Sequence, residues 1–327
     1  MRAVVCKQFG PPRSLVVEDV PDPKLKPGHV LIDVHAAGVN FPDVLIIQDK
    51  YQFKPPLPFT PGGEVAGVVR AVGDGVSDFA AGDRVLASTG WGGFAEALAI
   101  DRSRVFRIPD QMDFPAASAL LMTYGTSHYA LKDRAQLQPG ETLAVLGAAG
   151  GVGLAAVELG KQMGARVIAC ASSDEKIAVC REHGAEEGIN YAREDLKERL
   201  KVLTEGRGAD VVYDPVGGPF SEPALRSTAW EGRFLVIGFA AGDIPRLPLN
   251  LTLLKGCSIV GVFWGAFTGK EPARNRANIE ELMQWYVDGR IRPYVSKTYP
   301  LEDVASALEA MERREVKGKV VLTTGRS

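Results

Sequence analysis

The chain has 327 residues, 46% of them apolar and 24% charged, with 38 Lys and Arg against 40 Asp and Glu. That length suggests two domains, and the balance is that of a globular chain rather than a disordered or fibrous one. A net charge of −2 gives no electrostatic reason to expect nucleic acid or an anionic membrane as partner, and four scattered Cys fit reduced thiols in a cytoplasmic setting better than a disulfide framework.

The start, MRAVVCKQFG, lacks the apolar stretch of a signal peptide. Charge-free runs at 114–131 and 143–157 are too polar or too short to read as membrane spans. Over the first hundred residues, short apolar runs at 3–6, 30–37, 65–72 and 84–87 sit between turns rich in Pro and Gly. This spacing predicts a β-rich domain. Residues 51–63 hold four Pro and read as an extended loop. The character changes near residue 115. A helix is expected over 114–132, and strands and helices then alternate. Strands are expected at 142–146, 166–171, 188–190, 209–214, 233–239 and 258–263. Helices are expected at 152–163, 174–183, 195–204, 219–228 and 274–288, and the chain closes with a helix at 301–313 and a strand at 319–323. Such alternation is the signature of an α/β fold, a doubly wound parallel sheet with helices on both faces.

The sharpest local signal is Gly147-Ala-Ala-Gly-Gly-Val-Gly153, placed between an apolar strand and a helix. A dinucleotide pyrophosphate needs close backbone approach and free N–H groups at a helix N-terminus, and glycine allows both. Ala148 stands where GxGxxG would have its first glycine. The expected contacts are Ala149, Gly150, Gly151, Val152 and Gly153. A Gly-rich turn that merely packs a helix on a sheet is the plainer alternative. The second strand of an NAD site would end in an acid that takes the ribose 2′-hydroxyl. Here it ends in Ser172 and Ser173, with Lys176 after them, which leaves room and charge for the 2′-phosphate of NADPH. Asp174 and Glu175 count against this, but they also suit the first turn of a helix.

Several ordered motifs give the chain a resemblance. They are Gly38-Val-Asn-Phe-Pro-Asp43, Pro61-Gly-Gly-Glu-Val-Ala-Gly-Val-Val69, Gly82-Asp-Arg-Val85, the glycine turn, Ile189-Asn-Tyr191 and Asp210-Val-Val-Tyr-Asp-Pro-Val-Gly217. Over essentially its whole length the chain resembles the zinc-free quinone oxidoreductase branch (the zeta-crystallin group) of the medium-chain dehydrogenase/reductases. The resemblance implies a Rossmann domain at 125–264 inserted into a GroES-like domain made of 1–124 and 265–327. It implies an NADPH-dependent, zinc-independent transfer of hydride to a quinone, and a homodimer. Zinc relatives carry Cys-His where Asn40-Phe41 stands, His where Gly63 stands, and a loop of four Cys around 90–110, where this chain has none. Glu64 then reads as a charge paired within the N-terminal domain.

By the same resemblance, Asn40 lies beside the nicotinamide ribose and the cleft, in contact with cofactor or substrate, and Tyr51 faces the substrate; these two are the expected catalytic residues. Thr126 and Tyr191 contact the cofactor, and Lys319 reaches it from the closing strand. Gly238 and Phe239 end one strand at the ligand edge of the sheet, and Phe263 ends another. Each has a plainer reading: a turn residue for Asn40, an exposed loop aromatic for Tyr51, packing for the rest, and a helix cap for Asp43. The four His and four Cys show no catalytic or redox spacing. Two rival functions stay open: a 2-enoyl reductase acting on acyl-CoA esters or alkenals, and a cofactor-binding protein with little turnover.

Overall fold

A computed structural model describes residues 1–326. The chain forms two compact units, Met1–Met122 with Arg292–Ser327, and Thr123–Ile291. The resemblance placed the return to the first unit at 265, whereas the chain returns at Arg292. The intervening helices, Trp264–Lys270 and Pro272–Val287, pack within the second unit. Phe267 stacks on Tyr129 with ring centroids 4.0 Å apart, and Asn278 donates to Asp133 at 2.7 Å.

In chain order the strands are β1 (Arg2–Val5), β2 (Val16–Asp19), β3 (His29–Val39), β4 (Glu64–Val72), β5 (Arg84–Ser88), β6 (Ala97–Asp101) and β7 (Val105–Arg107) in the first unit. The second unit holds β8 (Thr142–Leu146), β9 (Arg166–Ala171), β10 (Glu187–Asn190), β11 (Ala209–Asp214), β12 (Thr228–Val236) and β13 (Ser258–Gly261). Strands β14 (Val295–Pro300) and β15 (Lys319–Thr323) complete the first unit.

The first unit is built on a seven-stranded sheet in the order β14-β15-β3-β4-β5-β7, with β6 also on β3. Its register creates the neighbourhoods that matter. Antiparallel pairing of β15 with β3 sets Val320 opposite Val39, so Lys319 arrives beside Asn40. Pairing of β3 with β4 sets Gly38 opposite Glu64. A Cβ on Gly38 would lie 2.1 Å from the Ser118 carbonyl oxygen and 2.6 Å from Glu64 Oε1, so only glycine lets these chains approach. The core behind the sheet includes Val30, Ile32, Val34, Val65, Val85 and Leu322.

The second unit is a six-stranded, all-parallel sheet in the order β10-β9-β8-β11-β12-β13. That is the strand order of a dinucleotide-binding sheet, with the order reversing beside β8. Leu143, Ala144, Val145 and Leu146 are all fully buried. Helices cover a parallel sheet on both faces, which is why β8 reads as an unbroken apolar run rather than an alternation.

Three expectations need correction. The single helix over 114–132 is instead a short α-turn, Phe114–Ala117, then a π-helical turn, Leu121–Gly125, a second α-turn, Thr126–His128, and another π-helical turn, Tyr129–Arg134. Within this segment the Met122 N–H donates to the Glu64 carboxylate of β4 at 3.0 Å. The strand expected at 233–239 runs Thr228–Val236, so Gly238 and Phe239 lie beyond its end, with Phe239 exposed. The strand expected at 258–263 stops at Gly261, and Phe263 is the exposed residue before the helix Trp264–Lys270. Among the described residues no helix is long and apolar enough to cross a membrane.

Candidate functional site

In the second unit, β8 leads through Gly147–Gly150 into the helix Gly151–Gln162. No side chain caps this helix. Its neighbours differ: Ser173 accepts from Lys176 N–H ahead of the helix Asp174–Glu182, and Asp195 accepts from Glu198 N–H ahead of Leu196–Leu203. The first N–H groups of a helix have no partner within it and carry the positive end of its dipole. At this helix no side chain takes them, and such an uncapped N-terminus is suited to an anion. A Cβ on Gly153 would lie 2.3 Å from the Gly147 carbonyl oxygen and 2.9 Å from Ala148 Cα. Glycine is therefore required for the helix to sit this close to the turn. Ala148 and Ala149 are buried in the turn itself, and Gly150 is the cap residue.

At the end of β9, Lys176 Nζ lies 3.1 Å from Ser172 Oγ. Ser173 spends an oxygen lone pair on the helix cap, while its hydroxyl hydrogen remains available to an anion. Asp174 accepts from Asn190 Nδ2 at 3.0 Å and from Arg193 at 2.7 Å. Its charge is thereby neutralised by groups around the end of β10. Tyr191 packs against the Phe220 ring, with centroids 4.4 Å apart. Thr126 opens its α-turn, and its neighbour Ser127 meets Val152 O and the buried Tyr213 hydroxyl, each at 2.8 Å.

In the first unit, the loop Asn40–Gly63 and the end of β15 enclose a buried polar cluster. Lys319 Nζ donates to Val39 O at 3.0 Å, to Asn40 Oδ1 at 2.7 Å and to Glu64 Oε1 at 2.6 Å. Asn40 Nδ2 donates to Glu64 Oε1 at 2.9 Å and to Gly38 O at 3.2 Å. Asp43 accepts from Asn40 N–H at 2.8 Å across the first turn of the helix Phe41–Ile46. Burial pushes the Asp43 carboxyl up to about 7, against the pull of the Asn40 N–H and the Lys319 charge. Tyr51 packs on the same core beside Phe53, at 5.9 Å between ring centroids. Burial, and then the Asp43 charge, raise its phenol further. Tyr51 is therefore a neutral hydroxyl at neutral pH, able to donate.

The description "Alcohol dehydrogenase GroES-like domain" matches residues 26–110, and "Zinc-binding dehydrogenase" matches residues 151–287. The chain is 41% identical to a quinone oxidoreductase-like protein 2 homolog of Nematostella vectensis, over 99% of this chain and 89% of that protein. It is 36% identical to the human quinone oxidoreductase, over 94% and 93% of the two chains. The structure of Escherichia coli quinone oxidoreductase complexed with NADPH superimposes with a TM-score of 0.92 at 28% identity, covering 99% of this chain and 100% of that one. The chain belongs to the medium-chain dehydrogenase/reductases.

As a family member it is an oxidoreductase, with the glycine turn and the β9 end in the second unit and the Asn40 cluster in the first. Sequence reasoning named Asn40, Glu64 and Lys319 separately but did not see that they form one network. No local spacing marks that network, because the register of β3 with β4 and β15 brings its members together. It also missed two paired histidines. His128 Nε2 lies 3.0 Å from Glu281, edge-on to Trp285, and His183 Nδ1 lies 3.5 Å from Glu158. Glu158 also accepts from the buried Tyr124 hydroxyl at 2.5 Å. Burial lowers the His128 imidazole, more than Glu281 raises it. All four Cys are buried free thiols.

Proposed function

We propose that this family member is an NADPH-dependent oxidoreductase that passes hydride to a quinone without zinc. The observation that carries the cofactor reading is the uncapped, glycine-cradled helix N-terminus at Gly150–Gly153. Ser172 and Lys176 at the end of β9 support NADPH over NADH. Bound NADPH supplies the hydride itself. The chain's own residues bind and orient. The N–H groups of Gly151, Val152 and Gly153 take the pyrophosphate, Ser172, Ser173 and Lys176 take the 2′-phosphate, and Thr126, Tyr191, Gly238, Phe239 and Phe263 line the remaining contacts. The Tyr51 hydroxyl donates to the acceptor oxygen as negative charge develops there.

A catalytic zinc needs three N, S or O ligands within reach. Around Asn40 only Glu64 and Asp43 offer carboxylates, and Glu64 Oε1 is already taken by the Lys319 ammonium. Among the described residues no group of three or more His, Cys, Asp or Glu is placed to hold a metal ion. The donor set does not fit zinc. A reducing cytoplasmic setting and a homodimer belong to the same reading. The dimer is supported by β13, which ends the six-stranded sheet with Ile259 partly exposed.

Mixing the protein with NADPH and a panel of quinones, enones and enoyl-CoA esters tests the proposal. NADPH oxidation fastest with quinones is the expected result. Preference for enoyl-CoA esters or alkenals would replace it with the 2-enoyl reductase, and NADPH binding without oxidation by any acceptor would leave a cofactor-binding protein.

A further inference from the structure

Asp174 is the acid that follows the end of β9, where a dinucleotide sheet that prefers NADH keeps a carboxylate for the ribose 2′-hydroxyl. A carboxylate left loose there would accept from that hydroxyl and repel a 2′-phosphate. Asp174 is held instead. Its Oδ1 accepts from Asn190 Nδ2 at 3.0 Å and from Arg193 Nη2 at 2.7 Å. Both donors come from the end of β10 and the turn after it, and β10 is the neighbour of β9 in the sheet. The Asn190 amide can face only one way. Its Oδ1 accepts from Ala192 N–H at 3.2 Å, so Nδ2 is the end that meets Asp174. Its main chain is fixed too: Asn190 N–H donates to Glu194 Oε1 at 2.8 Å, and its carbonyl accepts from the N–H groups of Arg193 and Glu194. Asn190 is buried, whereas the Asp174 and Arg193 side chains are 60% and 64% exposed. An exposed ion pair contributes little to stability. Its place in the chain, between Ser172 and Lys176 on one side and the fixed Asn190 turn on the other, suits it to govern the charge that a cofactor meets.

We propose that Arg193, together with Asn190, is a positioning residue for cofactor choice: it holds the Asp174 carboxylate toward β10, so that this acid neither takes the 2′-hydroxyl of NADH nor opposes the 2′-phosphate of NADPH. This rests on the reading of the chain as an NADPH-dependent oxidoreductase, and it involves residues of the second unit alone. Selectivity then has two parts. Ser172 and Lys176 attract the phosphate, and Arg193 and Asn190 restrain the acid that would favour the hydroxyl.

The test is a double-mutant cycle read on two ligands: the Kd of NADPH and of NADH for wild type, Arg193→Ala, Asp174→Asn and the double variant. Both substitutions fall on exposed side chains, so the variants should keep the melting temperature of wild type. Arg193→Ala should loosen NADPH about fivefold and tighten NADH about threefold, because the freed carboxylate repels one ligand and accepts a hydroxyl from the other. Loss of a merely structural bond would not move the two cofactors in opposite directions. Asp174→Asn should leave NADPH at least as tightly bound as in wild type. Adding Arg193→Ala to it should then change neither Kd by more than about twofold, since the acid that Arg193 restrains is gone. If Arg193→Ala loosens NADPH as much in the Asp174→Asn background, Arg193 is a direct phosphate ligand and the proposal is overturned. Parallel loosening of both cofactors, or no change in either, would overturn it as well. Wild type that fails to bind NADPH, or binds NADH as tightly, would overturn the parent reading instead.

Discussion

Lys176→Ala tests the cofactor preference most sharply. The Lys176 ammonium lies 3.1 Å from Ser172 Oγ, so a phosphate held between them gains one charge-assisted bond and one hydroxyl bond. A hydrogen bond to a charged group contributes about 1.5–3 kcal/mol, and partial exposure of Lys176 places it at the low end. About 1.5 kcal/mol corresponds to roughly a tenfold rise in the NADPH Kd. NADH has no 2′-phosphate, so its Kd should move less than about twofold on the same reasoning. Lys176 lies in the first turn of the helix Asp174–Glu182, where Ala is at least as good a helix former, so the melting temperature should hold. The assay is fluorescence titration of both cofactors against wild type and variant. Added salt should shrink the difference, because an exposed charge is screened. Equal losses for the two cofactors, or no loss for either, would refute the assignment.

Gly153→Ala forces a methyl group against backbone at 2.3 Å, so it should cost about 1–3 kcal/mol of stability and loosen NADPH and NADH alike; a denaturant melt with a titration checks both. Asp43 has a folded-state value of about 7, well above the ~3.9 of an unfolded Asp. The folded state therefore holds the proton more tightly, and the stability this contributes is present below about pH 4 and is lost as pH rises to about 7. The stability of wild type minus that of Asp43→Asn should fall by up to about 4 kcal/mol across that window and level off above it, and a flat difference would count against a buried, proton-holding Asp43. Elemental analysis of the purified protein should find no stoichiometric zinc, and one zinc per chain would contradict the donor-set argument.

The parts of the fold legible in the sequence are those governed by local pattern. Strands at 142–146, 166–171, 209–214 and 319–323 occur at the expected residues. Three lie in the parallel sheet and one between β14 and β3 in the first unit's sheet, where burial makes the strand an apolar run between polar ends. Strands β2, β6, β7 and β14 escaped notice. β14, for example, is mostly exposed and carries polar residues, so it lacks both an apolar run and a clean alternation. The helices Phe41–Ile46, Asn250–Lys255 and Trp264–Lys270 are too short for a helical period to show. The glycine turn was readable because its chemistry is contiguous. The cluster of Asn40, Glu64 and Lys319 was not, because sheet register joins residues 279 positions apart, and no local pattern encodes register over that span. The bond from Met122 N–H to the Glu64 carboxylate of β4, inside the segment 114–132, is likewise a long-range contact that no local pattern encodes.

The central claim is hydride transfer from NADPH to a quinone by a protein that needs no metal. A single-turnover experiment on chelator-treated, metal-depleted protein tests it directly, following the NADPH absorbance after mixing with excess quinone. A stoichiometric loss of that absorbance at the rate of untreated protein is the expected result. No loss, or a loss that returns only when zinc is restored, would contradict it.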